Sequence, residues 1–81
     1  MAFTIEQIDA VWTMGKIIVD SDPGSWRKDD FGSWMKYSDY GKHNSPYGWD
    51  INYIISKENG GSDSLSNLRP LQWENNLSKS G

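Results

Sequence analysis

The sequence predicts an α+β domain, a hairpin followed by a C-terminal helix with a helix in front of it, and three stretches carry that prediction. "TIEQIDAVW" has a capping box, Thr4 with Gln7 three residues later, ahead of Ile5, Ile8, Val11 and Trp12 at helical spacing. "WRKDDFGSWMKYSDYGKHNSPYGWDINYII" alternates large apolar residues with polar ones and is interrupted by Gly32, Gly41 and Gly48, the pattern of short strands joined by tight turns. "LRPLQ" then reads as a further extended segment, and "WENNLSK" as a short terminal helix.

Between these stretches the punctuation is equally plain. Gly15 is a natural stop for the first helix, "KIIV" a short extended piece, and "DSDPGS" a turn cluster around Pro23-Gly24. "SKENGGSDSLSN" is a polar loop rich in Gly, Ser and Asn, and the chain shows no repeat, low-complexity tract or linker. Residues 1–81 are therefore expected to form a single domain.

A chain of 81 residues buries roughly 60% of its unfolded surface, enough for one modest core and one functional surface. It has no cysteine, which removes disulfides and thiolate zinc sites. Five Trp, four Tyr and two Phe supply large buried area, so Trp34, Trp49 and Trp73 are expected in the core rather than on a base-stacking platform. No segment approaches the ~20 apolar residues of a membrane span and the N-terminus does not read as a secretory signal, so the expectation is a cytoplasmic protein without membrane contact. Net charge is −3, and the excess lies in residues 1–50, where eight carboxylates face five cationic side chains. That balance argues against nucleic acid as partner, because phosphate neutralisation needs a basic surplus.

The motifs "WRKD" (26–29), "YG" (40–41), "YGW" (47–49), "GGSD" (60–63), "LSNL" (65–68) and "PLQWENN" (70–76), with Lys79, keep an ordered spacing. In this respect the chain resembles small HNH endonucleases of phages and bacteria, whose site is a ββα unit holding one divalent metal. The resemblance covers residues 26–79 and implies an HNH-like ββα-metal fold. It also implies roles: Asn67 for the residue that fixes the loop, Asn76 for a metal ligand on the helix, and Lys79 for a phosphate contact. The family pattern carries an Asp-His pair where this chain has Asn52 and Tyr53, and a proline where it has Ser56.

These departures fall on the chemistry. Replacing a carboxylate by an amide removes a full negative charge from a hard-cation site, and Asn52 with Asn76 would offer two neutral oxygens, a poor cage for Mg²⁺. Tyrosine ordinarily titrates near ~10, so Tyr53 is a weak base at neutral pH, and lost base assistance alone costs ~10²–10⁴-fold in rate. The expectation is no catalysis and no cofactor, with Asn52, Tyr53, Asn67 and Asn76 as relics of a lost site and the Tyr53 ring plugging the old cavity.

What remains is a scaffold kept for its surface: a phage-encoded inhibitor that binds a host protein, such as a defence nuclease or a CRISPR effector complex, in the manner of an anti-CRISPR protein and in the host cytoplasm. Asp20, Asp22, Asp29, Asp30, Asp39 and Asp50, with Tyr53, are the expected contact residues, the carboxylates forming an acidic face that imitates phosphates before a basic groove. One alternative is a nuclease of altered chemistry, in which Asn76, Asp50 or His43 rebuilds a metal site and Tyr53 is retuned, Asp50 being the nearby carboxylate that shares a strand face with Asn52. The other is a non-cleaving DNA-binding remnant using Arg69 and Lys79. On its own, His43 reads as a solvated loop residue.

Overall fold

The computed structural model describes residues 3–79. Helix α1 (Ile5–Trp12) begins where the capping box places it: the Thr4 hydroxyl accepts from the Gln7 amide and the Gln7 side chain returns to the Thr4 amide. It ends at Trp12, with Thr13 as its cap, before Gly15 is reached. Gly15 instead lies buried against Arg27, whose guanidinium donates to the carbonyls of Thr13, Gly15 and Pro23. A cation thus satisfies the open carbonyl end of α1.

Three short strands, β1 (Lys16–Ile17), β2 (Trp26–Lys28) and β3 (Trp34–Lys36), pair antiparallel in chain order. The register sets Lys16 opposite Lys28, Trp26 opposite Lys36 and Lys28 opposite Trp34, so these five share one face. Arg27 and Met35 pair on the other face, where Met35 is fully buried. Strands β4 (Trp49–Tyr53) and β5 (Leu68–Gln72) make a second antiparallel sheet with Asn52 opposite Arg69 and Tyr53 opposite Leu68. Helix α2 (Trp73–Lys79) follows β5 without a break. A two-stranded sheet has no interior strand, which is why Pro70, lacking a donor, is accommodated in the middle of β5.

The core lies between α1 and the β4–β5 sheet and contains Ile8, Val11, Trp12, Met35, Trp49, Ile51 and Leu68. Trp12 and Trp49 lie 5.1 Å apart, and Tyr40 and Tyr37 meet them edge-on. Of the rings expected inside, Trp49 is completely buried and Trp73 partly so, whereas Trp34 is 41% exposed. Its strand alternates, so burying Met35 turns Trp34 outward. Among the described residues no helix is long and apolar enough to cross a membrane.

Asp29 ties the two sheets together. It is 1% exposed, and one oxygen accepts from the amides of Phe31 and Ser33 while the other accepts from the Gln72 amide and the Asn75 side chain. A buried carboxylate with several donors is a structural group, so Asp29 cannot belong to an acidic surface. Its expected role as a contact residue is corrected by its burial.

Candidate functional site

The β4–β5–α2 unit brings Asn52 and Asn76 together. The alternation of β4 aims Asp50 and Asn52 toward α2, while Trp49 and Ile51 point into the core. Asn52, 4% exposed, donates from Nδ2 to Asn76 Oδ1 at 3.0 Å, and its Oδ1 accepts from Arg69 Nε at 2.9 Å. A guanidinium only donates, so Arg69 fixes which end of the Asn52 amide is oxygen, and that in turn fixes Asn76. Arg69 also reaches Asp30 at 3.4 Å and lies over the Phe31 ring.

This arrangement does not fit a divalent metal. Both amide oxygens already accept hydrogen bonds, and a permanent cation stands on Asn52. Hard cations require several oxygen donors, usually with carboxylate charge. A guanidinium in hydrogen-bond contact opposes a second positive charge at the same oxygen.

A shallow cavity of about 370 Å³ opens beside the pair, with Asn52, Tyr53, Ser56, Lys57 and Asn76 in its walls. Tyr53 does not plug it. The ring packs 6.0 Å from Phe3 along the core, and the hydroxyl donates to Asp63 at 2.6 Å. Asp63 also takes Lys57 at 2.9 Å, and the Lys57 ammonium lies 5.7 Å from the Tyr53 ring centroid. The hydrogen bond to Asp63 holds the Tyr53 phenol above its ordinary value, and the same bond, reinforced by Lys57, holds the Asp63 carboxyl below its own. Tyr53 is therefore a hydroxyl donor at neutral pH.

Asn67 organises the loop between the strands. Its Oδ1 accepts from the Ile55 amide at 2.8 Å, and its Nδ2 donates to the carbonyls of Ile55 and Ser62. Gly61 passes so close to Ile55 that an added Cβ would overlap the Ile55 carbonyl oxygen. The "GGSD" and "LSN" stretches thus fold the loop back and deliver Asp63 to Tyr53.

His43 is not a free loop residue. It stacks on Trp73 at 5.3 Å and 12°, and its Nε2 meets Asp50 Oδ2 at 2.7 Å. Asp50 is thereby committed to His43 near the start of β4, with Tyr53 at the strand's other end.

Most of the remaining carboxylates are engaged in local bonds. Asp39 is half-buried and accepts from Ser45, Asp22 caps the turn that leads to Trp26, and Asp30 pairs with Arg69. Asp20 is exposed at a left-handed backbone position, φ 66°. Each is bound locally or isolated, because short turns recruit Asp for their own amides. Of the acidic face expected from composition, Asp29 alone is removed by burial. The Lys79 side chain lies outside the described part of the structure.

Arg69 and Asp63 are the two site residues that sequence reasoning left out of the central cluster. Arg69 becomes visible once the hairpin register is set, since it falls directly opposite Asn52. Comparison of the chain with protein-family descriptions, curated proteins and solved structures returns no match.

Proposed function

We propose that this chain is a catalytically inactive HNH-like ββα domain that acts by binding another protein, as an inhibitor of a host defence nuclease or surveillance complex would. The observation that carries the reading is the Arg69–Asn52–Asn76 chain of hydrogen bonds, which joins strand to helix where the resemblance expects metal ligands. With both ligand positions amides, both amide oxygens engaged and a guanidinium on one of them, the group that would stabilise charge on a scissile phosphate has no seat. The neighbouring position expected to hold a base is a phenol that keeps its proton. The inhibitor role itself rests on the small size and the lost chemistry, and nucleic acid enters only as the substrate of the ancestral fold.

The test is cleavage of supercoiled plasmid and of single-stranded DNA by the purified chain with Mg²⁺, Mn²⁺, Ni²⁺ or Zn²⁺. No metal-dependent product is expected. Cleavage that requires a metal and disappears in Asn76→Ala would overturn the reading.

A second reading has one observation in its favour, the 2.7 Å contact of His43 with Asp50 on the face that also carries Asn52. An imidazole oriented by a carboxylate is a competent general base. This reading requires His43→Ala to abolish a cleavage activity of the natural chain.

A further inference from the structure

The outer face of the β1–β3 sheet carries Lys16, Lys28 and Lys36 in alternation with Trp26 and Trp34. Among the described residues none of the three lysines has an ion-pair partner, although the chain as a whole is acidic. Lys16 stands directly opposite Lys28, a like-charge pairing that weakens a sheet unless an anion relieves it. The apolar part is equally exposed: Trp34 is 41% and Tyr47 40% accessible, and both pack edge-on against Trp26 between them. Lys36 holds its ammonium 5.6 Å from the Trp26 ring. Across the adjoining groove the carboxylate is Glu74, which accepts from Gln72.

We infer that this face docks an acidic segment of a partner protein, with Trp34 and Tyr47 as apolar anchors and Lys16, Lys28 and Lys36 receiving its carboxylates. The inference rests on the reading that the chain works through protein binding, and it reverses the sign of the surface expected from composition. Charge complementarity selects the occupant: unpaired ammonium groups cluster here, while the carboxylates are scattered among local bonds. Exposed Trp and Tyr are among the residues that dominate protein interfaces, and the surrounding lysines set the sign of the partner. Single-stranded nucleic acid fits less well. Stacking needs open ring faces, and the central ring, Trp26, already has Trp34 and Tyr47 edge-on against it and the Lys36 ammonium over it.

The experiment is an amide NMR titration of the full chain with a short peptide alternating glutamate and leucine, beside the same peptide with glutamine for glutamate, and beside oligothymidylate. Shifts confined to residues 16–17, 26–28, 34–36 and 47 are expected with the acidic peptide alone, weakening about 10-fold between low salt and ~0.3 M salt. Lys28→Glu should weaken binding by about 10-fold or more while the thermal midpoint stays near that of the parent, and Trp34→Ala should weaken it as much with a lower midpoint, its edge-on packing on Trp26 being lost. Equal binding of the glutamine peptide, tighter binding of oligothymidylate to this face, or no shift with the acidic peptide would overturn the inference. These outcomes are separable from failure of the functional reading, since metal-dependent cleavage would refute the latter whatever this face binds.

Discussion

Arg69 Nε donates to Asn52 Oδ1 at 2.9 Å from the directly opposing position of the hairpin, so a permanent cation stands on the Asn52 oxygen. Cross-strand pairing fixes this contact by register and leaves Asn52 Nδ2 to reach α2. Asn52→Ala should therefore remove one hydrogen bond from a charged donor and strand Asn76 as well, costing about 1–2 kcal/mol and lowering the melting midpoint by about 5–15 °C. A calorimetric scan checks this. An unchanged midpoint would mean that the pair contributes nothing to the join between sheet and helix.

Asp29 should be the most sensitive carboxylate in the chain. Asp29→Ala leaves the amides of Phe31, Ser33 and Gln72 and the Asn75 side chain without their acceptor in a buried place, for a cost of about 3–5 kcal/mol. Denaturant unfolding measures it, with Asp30→Ala as the exposed control expected within about 1 kcal/mol of the parent. Similar losses for both variants would contradict the assignment of Asp29 as the link between the sheets.

The loop triad gives a pH signature. The Asp63 carboxyl is held low first by the Tyr53 hydroxyl and then by Lys57. A depressed folded value means that its contribution is fully present above the ordinary Asp range near ~3.9 and is lost as pH falls through the lowered value. Tyr53→Phe should raise the Asp63 midpoint toward that of a free Asp, read by carboxyl NMR. The Tyr53 phenol shifts the other way, so its contribution is present below ~10 and lost as pH rises through its raised value. An Asp63 midpoint indifferent to Tyr53→Phe would remove the hydroxyl as cause.

Asn67→Ala should free the loop that carries Asp63, because three hydrogen bonds to Ile55 and Ser62 vanish together. A loss of about 2–3 kcal/mol is expected, with faster amide exchange at Ile55. Retained protection at Ile55 would show that Gly61 and its backbone packing alone set the loop.

Local signals were the legible part of this chain. Thr4 with Gln7 marks the start of α1, "LRPLQ" coincides with β5 and "WENNLSK" with α2, because caps, alternation and helix-forming runs act within a few residues. Asp50 and Asn52 share the face of β4 that strand alternation assigns them. The role of Asp29 is not legible locally, because its partners Gln72 and Asn75 lie 43 and 46 residues away, beyond any local pattern. Trp34 and Trp49 look alike in sequence, and only the pairing of β3 against β2 decides that Met35, not Trp34, turns inward. Composition misled in the same way, since it records how many carboxylates there are but not that turns and buried links consume them.

The most direct measurement is Mn²⁺ titration calorimetry, with plasmid cleavage alongside, on the natural chain, on Asn52→Asp/Tyr53→His, and on the same double variant with Arg69→Ser. In the double variant Arg69 would pair with the new carboxylate and oppose the metal, so binding should strengthen about 10-fold or more when Arg69→Ser is added, while the natural chain takes up no Mn²⁺ and cuts nothing. Mn²⁺ binding and cleavage by the natural chain, weakened by Asn76→Ala, would contradict the account.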